Sequence, residues 1–101
     1  MTNTYINLKE ITNLATMLNT VNIPFEVFGY FDGAVLKYPS IEKEVCSVIC
    51  HKGSYGHAKG LLEIMGLLTE EEEACDAVVG WLTAEDVFTR IAEHYVKEIK
   101  K

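Results

Sequence analysis

Apolar residues recur at helical spacing near both ends of the chain and predict two amphipathic helices. In the first, Asn7 with Glu10 matches a capping box, and Ile23-Pro24 ends the pattern. In the second, Thr83 and Asp86 form a weaker cap. The stripes consist of Leu8, Ile11, Leu14, Ala15, Leu18 and Val21 in the first helix, and of Val87, Phe88, Ile91, Ala92, Tyr95 and Ile99 in the second.

Between the helices, aromatic and β-branched residues predict a β-hairpin. The runs 25–31 and 34–39 flank Asp32-Gly33, a two-residue turn signal in which both residues take positive φ. Pairing Phe31 with Ala34 sets the register and predicts one core face and one mixed face, which a helix covers or a partner contacts. The core face comprises Phe25, Val27, Phe31, Leu36 and Tyr38; the mixed face comprises Glu26, Phe28, Tyr30, Val35 and Lys37.

Three further segments are predicted to be strands. Residues 44–50 and 77–82 are short β-branched runs. Residues 60–68 also fit a helix face, but Gly66 would cost a helix about 1 kcal/mol there, so we favour a strand. The pattern α-β-β-β-β-β-α predicts a single α+β domain over residues 1–101, with a mainly antiparallel sheet flanked by the two helices.

Composition agrees with a folded domain and indicates its compartment. The 101 residues are 49% hydrophobic and 10% aromatic, which is enough for a core. No run of apolar residues is long enough to span a membrane. The N-terminus lacks the basic region followed by an apolar stretch that is typical of a secretion signal. Three cysteines, an odd number, favour reduced thiols. We therefore expect a cytoplasmic protein without membrane association.

Negative charge is concentrated in one part of the chain. The net charge is −6, and residues 69–86 contain seven acids and no base. This field disfavours direct nucleic-acid binding and would attract a basic partner, although a charge run can also serve solubility alone. We name these residues the acidic block: Glu70, Glu71, Glu72, Glu73, Asp76, Glu85 and Asp86.

A polar loop at residues 50–57 is the second candidate site. Its glycines lack the spacing of a phosphate-binding loop, and no acid lies near Ser54 in sequence to orient a histidine base. We therefore predict no catalytic residue, with a weak hydrolase as the alternative. The side chains that could contact a ligand are His51, Lys52, Ser54, Tyr55 and His57.

Metal binding and phosphate binding elsewhere are also disfavoured. Cys46 and Cys50 on a strand would lie about 13 Å apart, whereas two ligands of one zinc ion approach to about 4 Å. We predict no metal and no cofactor. A basic stripe on the last helix is expected to offset the helix dipole, with Glu93 and Lys97 as an i,i+4 pair. The stripe consists of Arg90, His94, Lys97 and Lys101.

Three stretches of the C-terminal half resemble small uncharacterised proteins from phages and prophages of Gram-positive bacteria. They are VICHKGSYG at 48–56, GLLEIMGLL at 60–68 and VGWLTAEDV at 79–87. The resemblance implies no reaction. It implies an accessory gene of a mobile element, expressed in a bacterial host, where small acidic proteins bind and block defence nucleases, as anti-CRISPR proteins do.

Three functional hypotheses follow. The first is a non-catalytic binding protein whose acidic block meets a basic partner, such as a host defence nuclease, with Phe28, Tyr30 and Trp81 as apolar anchors. The second is a small-ligand or nucleotide-binding domain that uses the loop at 50–57. The third is an oligomerising accessory protein in which an exposed sheet face or edge pairs two copies.

Overall fold

The computed structural model describes residues 8–30, 33–51, 59–75 and 77–99, and within them the predicted α+β fold is confirmed. Five antiparallel strands form one sheet in chain order, β1 to β5. The elements are α1 (Lys9–Thr20), β1 (Glu26–Tyr30), β2 (Gly33–Tyr38), β3 (Cys46–Cys50), β4 (Leu62–Met65), α2 (Glu70–Cys75), β5 (Val78–Leu82) and α3 (Ala84–His94), which continues as a π-helical turn (Tyr95–Ile99). The short helix α2 was not predicted.

Helices α1 and α3 pack against each other and against the same face of the sheet. α1 lies on β2 and β3, and α3 lies on β4 and β5, so β1 extends beyond both helices. The main core cluster contains Leu14 and Leu18 from α1, Val87 and Ile91 from α3, and Leu36, Tyr38, Cys46, Val48, Cys50, Leu62 and Ile64 from the sheet. Cys46 and Cys50 therefore share a face and are both fully buried, as small apolar side chains often are.

The hairpin of β1 and β2 forms, but its predicted register is wrong. Tyr30 pairs with Gly33 and Phe28 with Val35, so the strands are shifted by two residues from the predicted Phe31–Ala34 pairing. Phe31 and Asp32 lie outside the described residues. Because side chains alternate with a period of two, a shift of two leaves each residue on its predicted face.

Gly33 is required for close approach and not for the predicted turn. It is the first residue of β2, and it is absent from the positive-φ residues of the described chain. A Cβ atom at Gly33 would lie 1.9 Å from the carbonyl oxygen of Cys50. The missing side chain therefore lets β2 and β3 meet at this end of the sheet.

The two predicted hairpin faces differ from expectation in their burial. Val27, predicted as core, is 50% exposed because β1 lies beyond the helices. On the mixed face Val35 is only 4% exposed and Phe28 is half-buried, yet neither belongs to the main core cluster. A helix was expected to cover the mixed face. The two described helices that form the core, α1 and α3, instead pack on the opposite face of the sheet.

Capping confirms one predicted helix start and corrects the other. At α3 the hydroxyl of Thr83 accepts from the Asp86 N–H and the Asp86 carboxylate accepts from the Thr83 N–H, a complete capping box. At α1 the cap residue is Leu8, without a side-chain bond, and Asn7 lies outside the described residues. Glu10 instead accepts from the N–H of Ala84 at 2.7 Å and links the two helices.

The strand predicted over residues 60–68 forms over Leu62–Met65 only, and Gly66 ends it. Gly66 has φ +95° and Leu67 has φ +56°, both in the left-handed region. A Cβ atom at Gly66 would lie 2.4 Å from the carbonyl oxygen of Val45. Only glycine fits this turn, which directs the chain out of the sheet and into α2.

Candidate functional site: the acidic helix and its sheet edge

Helix α2 carries four consecutive glutamates and is held to the domain by one of them. Its six residues, EEEEAC, include none that is buried. Arg90 on α3 donates to both carboxylate oxygens of Glu72, each at 2.8 Å, and to the carbonyl oxygen of Leu67 at 3.0 Å. A bidentate pair of this kind fixes both distance and orientation. Arg90 thereby anchors both α2 and the segment that leads into it.

Glu72 also caps its own helix. Its carboxylate accepts from the N–H of Thr69 at 2.9 Å, and the hydroxyl of Thr69 accepts from the Glu72 N–H at 3.1 Å. Hydrogen bonds from Arg90 and from the Thr69 backbone lower the pKa of Glu72 to about 2. The same pairing raises the pKa of Arg90. Glu72 is therefore a charged structural residue, and Arg90 does more than offset the dipole of α3.

The other members of the acidic block divide into two groups. Asp86 is engaged in the cap of α3. Glu70, Glu71 and Glu73 on α2, and Glu85 at the start of α3, are exposed, and their carboxylates make no hydrogen bond or ion pair with any described residue. Asp76 lies outside the described residues. Four carboxylates are thus presented to solvent, while Glu72 and Asp86 hold the elements that present them.

An exposed aromatic side chain lies on the strand that follows α2. Trp81 in β5 is 60% exposed and has φ +62°, a conformation that bulky residues rarely adopt. The register of β5 against β4 shifts at this point, which is a β-bulge or similar irregularity. The irregularity re-aims the backbone, and Trp81 is the most exposed large aromatic of the described chain.

A groove of about 860 Å³ runs along α3, beside the segment that leads from β4 into α2. Leu67, Leu68 and Leu82 contribute apolar surface, and Arg90, His94 and Lys97 line it together with several acids. The Nδ1 atom of His94 lies 2.7 Å from the hydroxyl of the fully buried Tyr38, and the rings meet edge to face. Burial raises the pKa of Tyr38 to about 12, and the contact between the two side chains fixes the imidazole of His94.

Of the residues proposed to contact a ligand in the polar loop, the structure describes His51. His51 is half-buried at the end of β3. Lys52, Ser54, Tyr55 and His57 lie outside the described residues. Among the residues that the structure describes, no group of three or more potential ligands could hold a metal ion. Cys75, at the end of α2, is exposed and separated in the sequence from the buried pair, Cys46 and Cys50.

Sequence reasoning missed α2 and its anchor, although one signal was present. Thr69-Glu70-Glu71-Glu72 has the spacing of a capping box and could have predicted a helix start. The Arg90–Glu72 pair and the Tyr38–His94 bond join residues far apart in the chain, so no local pattern indicates them. For the apolar anchors, Trp81 is exposed and Phe28 is half-buried, while the side chain of Tyr30 lies outside the description.

Comparisons with protein-family models, with curated proteins and with solved structures found no match. Over the described residues, no helix has the length and apolar character needed to cross a membrane.

Proposed function

We propose that this protein is a non-catalytic binding protein whose acidic helix α2 and neighbouring Trp81 contact a basic surface of a partner protein. The observation that carries the proposal is the way α2 is built. The helix buries no residue, so it adds nothing to the core, and Arg90 holds it through Glu72 alone among its glutamates. Glu70, Glu71 and Glu73 remain exposed for contact.

Charge and an apolar anchor supply different parts of such an interface. Like charges at successive positions repel each other, and a basic partner relieves that repulsion, which favours association and speeds encounter. Tryptophan is enriched among the residues that dominate binding energy. Trp81 in β5 and the exposed Glu85 in α3 lie four residues apart in the chain, in the two elements that follow α2. The carboxylates would then select the partner and the indole would add affinity.

The resemblance to phage and prophage proteins suggests the kind of partner. A protein that processes nucleic acid has a basic groove, and a host defence nuclease is one example. An acidic protein that occupies this groove would inhibit the nuclease by competing with its nucleic acid, without any reaction of its own.

The test compares two triple charge reversals of equal net change in a pull-down from a Gram-positive host lysate, read by quantitative mass spectrometry. The first variant is Glu70→Lys, Glu71→Lys and Glu73→Lys. The matched control is Glu42→Lys, Glu93→Lys and Glu98→Lys, which reverses three exposed acids outside α2; Glu93 and Glu98 line the groove along α3, which the proposed surface does not use. Glu72 is left intact in both because its reversal would release α2.

We expect the wild type and the control to retain the same basic, nucleic-acid-binding protein, and the α2 variant to lose it. Trp81→Ala should weaken retention less than the α2 reversal does. Equal loss in both triple variants would show that only the overall charge matters, and retention by the α2 variant would refute the proposed surface.

A further inference from the structure

The two edge strands of the sheet differ in how well they can accept another strand. Edge strands expose unpaired N–H and C=O groups, and proteins usually block them with bulges, charges or covering elements. β5 is blocked in this way: its register against β4 is irregular, Trp81 has positive φ, and α2 lies against it. An added strand could not follow such an edge.

β1 has no bulge, and its one charged residue, Glu26, lies at its first position, where the carboxylate accepts from the N–H of Ile41. Its five residues pair with β2 without interruption, which indicates a regular strand. Its sequence, EVFGY, contains no lysine or proline. Apart from β2, no strand of the described chain pairs with β1, and Val27, its second residue, is 50% exposed. β1 therefore offers a regular and accessible edge.

The register identifies which backbone groups face outward. In a hairpin closed by a two-residue connection, the closing pair exchanges hydrogen bonds, and bonded pairs then alternate along the strands. Tyr30–Gly33 is the closing pair here, so Phe28 also bonds to β2. The N–H and C=O groups of Val27 and Gly29 consequently point to the open edge.

Charge favours a second copy at β1 over a second copy at β5. β1 contains one charged residue, Glu26, whereas α2 carries four glutamates beside β5. Neighbouring strands are about 4.8 Å apart, so five strands place these edges about 19 Å from each other. Two copies that meet at β1 would keep their acidic helices about 40 Å apart, well beyond the screening length of about 8 Å at physiological salt.

We propose that two copies of this chain associate by antiparallel pairing of β1 with β1, around a twofold axis at Phe28. This register places Val27 of one copy opposite Gly29 of the other, so the outward groups of both residues bond to each other. It also matches side chains by size. Val27 protrudes, while a Cβ atom at Gly29 would meet nothing within 4 Å.

The pairing avoids like charges and buries apolar surface. Glu26 lies opposite Tyr30 and not opposite its own equivalent. Phe28 lies opposite Phe28 at a non-hydrogen-bonded position, where side chains approach most closely. The product is a continuous ten-stranded sheet with an acidic helix at each outer end, able to contact two basic sites at once.

The experiment is sedimentation velocity from the low micromolar to the millimolar range. The wild type should shift from one to two monomer masses with rising concentration. Val27→Pro removes an outward N–H that β2 does not use, and it should raise the dimer dissociation constant about tenfold or more, since two hydrogen bonds are lost per dimer. Val27→Lys adds a charge at the edge and should have the same effect without constraining the backbone.

The matched control is Val96→Lys, which alters a side chain of similar exposure, 62%, on the terminal turn. It should dimerise like the wild type, and circular dichroism should show that all variants fold. A wild type that stays monomeric throughout the range would overturn the proposal. A dimer that persists in both Val27 variants would assign the interface elsewhere, which also overturns it, and neither result bears on the acidic surface of α2.

Discussion

The sheet has one edge built to display charge and one edge built from plain backbone. At the β5 edge, an irregular strand, an exposed Trp81 and the acidic α2 meet. At the β1 edge, a regular strand with one charged residue extends beyond the helices. The difference teaches that the two ends of one sheet, in a chain of 101 residues, can differ in charge and in backbone regularity. The two proposals accordingly assign contact through charge to one edge and contact through backbone pairing to the other.

The acidic edge contains a second contrast, between neighbouring glutamates. Glu72 makes a bidentate pair and caps α2, whereas Glu71 is exposed. Identical residues in one run therefore have opposite roles. Glu72 stabilises the helix within the domain, and Glu71 is available only to something outside it. By composition Glu71 and Glu72 are equivalent, but we expect their substitution to have different effects on the free energy of unfolding.

The largest expected effect is at the β1–β2 hairpin, where two glycines can be compared. Gly33→Ala places a Cβ atom 1.9 Å from the Cys50 carbonyl oxygen, so β2 and β3 must separate. We expect a loss of about 3 kcal/mol in the free energy of unfolding. Gly29→Ala meets no atom within 4 Å and should be neutral or stabilising by up to about 1 kcal/mol. Urea unfolding at low micromolar protein measures both, and equal stabilities would contradict the close-approach explanation.

A smaller effect is expected from Arg90→Met, which tests the anchor of α2. The substitution keeps much of the aliphatic volume but removes the donors to Glu72 and Leu67. The side chains of Arg90 and Glu72 are partly exposed, at 22% and 27%. We therefore expect a loss of about 2 kcal/mol in the free energy of unfolding. Lys97→Met on the same helix is the control and should change stability by less than about 0.5 kcal/mol.

A double-mutant cycle of Arg90→Met with Glu72→Gln isolates the pair from the other losses. A clear coupling energy is the expected result. If the two substitutions are additive, the pair does not anchor α2, and the contrast between Glu72 and Glu71 fails.

The smallest expected effect is the pH dependence of the same anchor. The folded pKa of Glu72, about 2, lies below its usual value of 4.5, so its stabilisation is complete above pH 4.5 and is lost as the pH falls towards 2. The stability difference between the wild type and Glu72→Gln should therefore shrink over this range. Glu71→Gln is the matched substitution on the same helix, since it removes an exposed carboxylate. Chemical unfolding at several pH values checks this, and a Glu72→Gln difference that does not change with pH would show that the paired charge is not responsible.

Much of the fold was predictable because local signals were strong. The apolar stripes of α1 and α3, the Thr83–Asp86 cap and the β-branched runs all predict the element found there. The hairpin was predicted but misregistered, since Asp32-Gly33 resembles a turn while Gly33 is needed for contact with β3. Local turn chemistry could not reveal a constraint that comes from a strand 17 residues further along the chain.

The candidate site was predictable in composition but not in arrangement. The sequence by itself determined that acid is concentrated at residues 69–86, that two amphipathic helices enclose a run of strands, and that two cysteines share a strand face. Only the tertiary structure decided that Glu72 pairs with Arg90, that Tyr38 fixes His94, and that Val27 lies beyond the helices. The reason is physical: propensity and periodicity act over a few residues, whereas pairing, burial and exposure depend on which distant segments pack together.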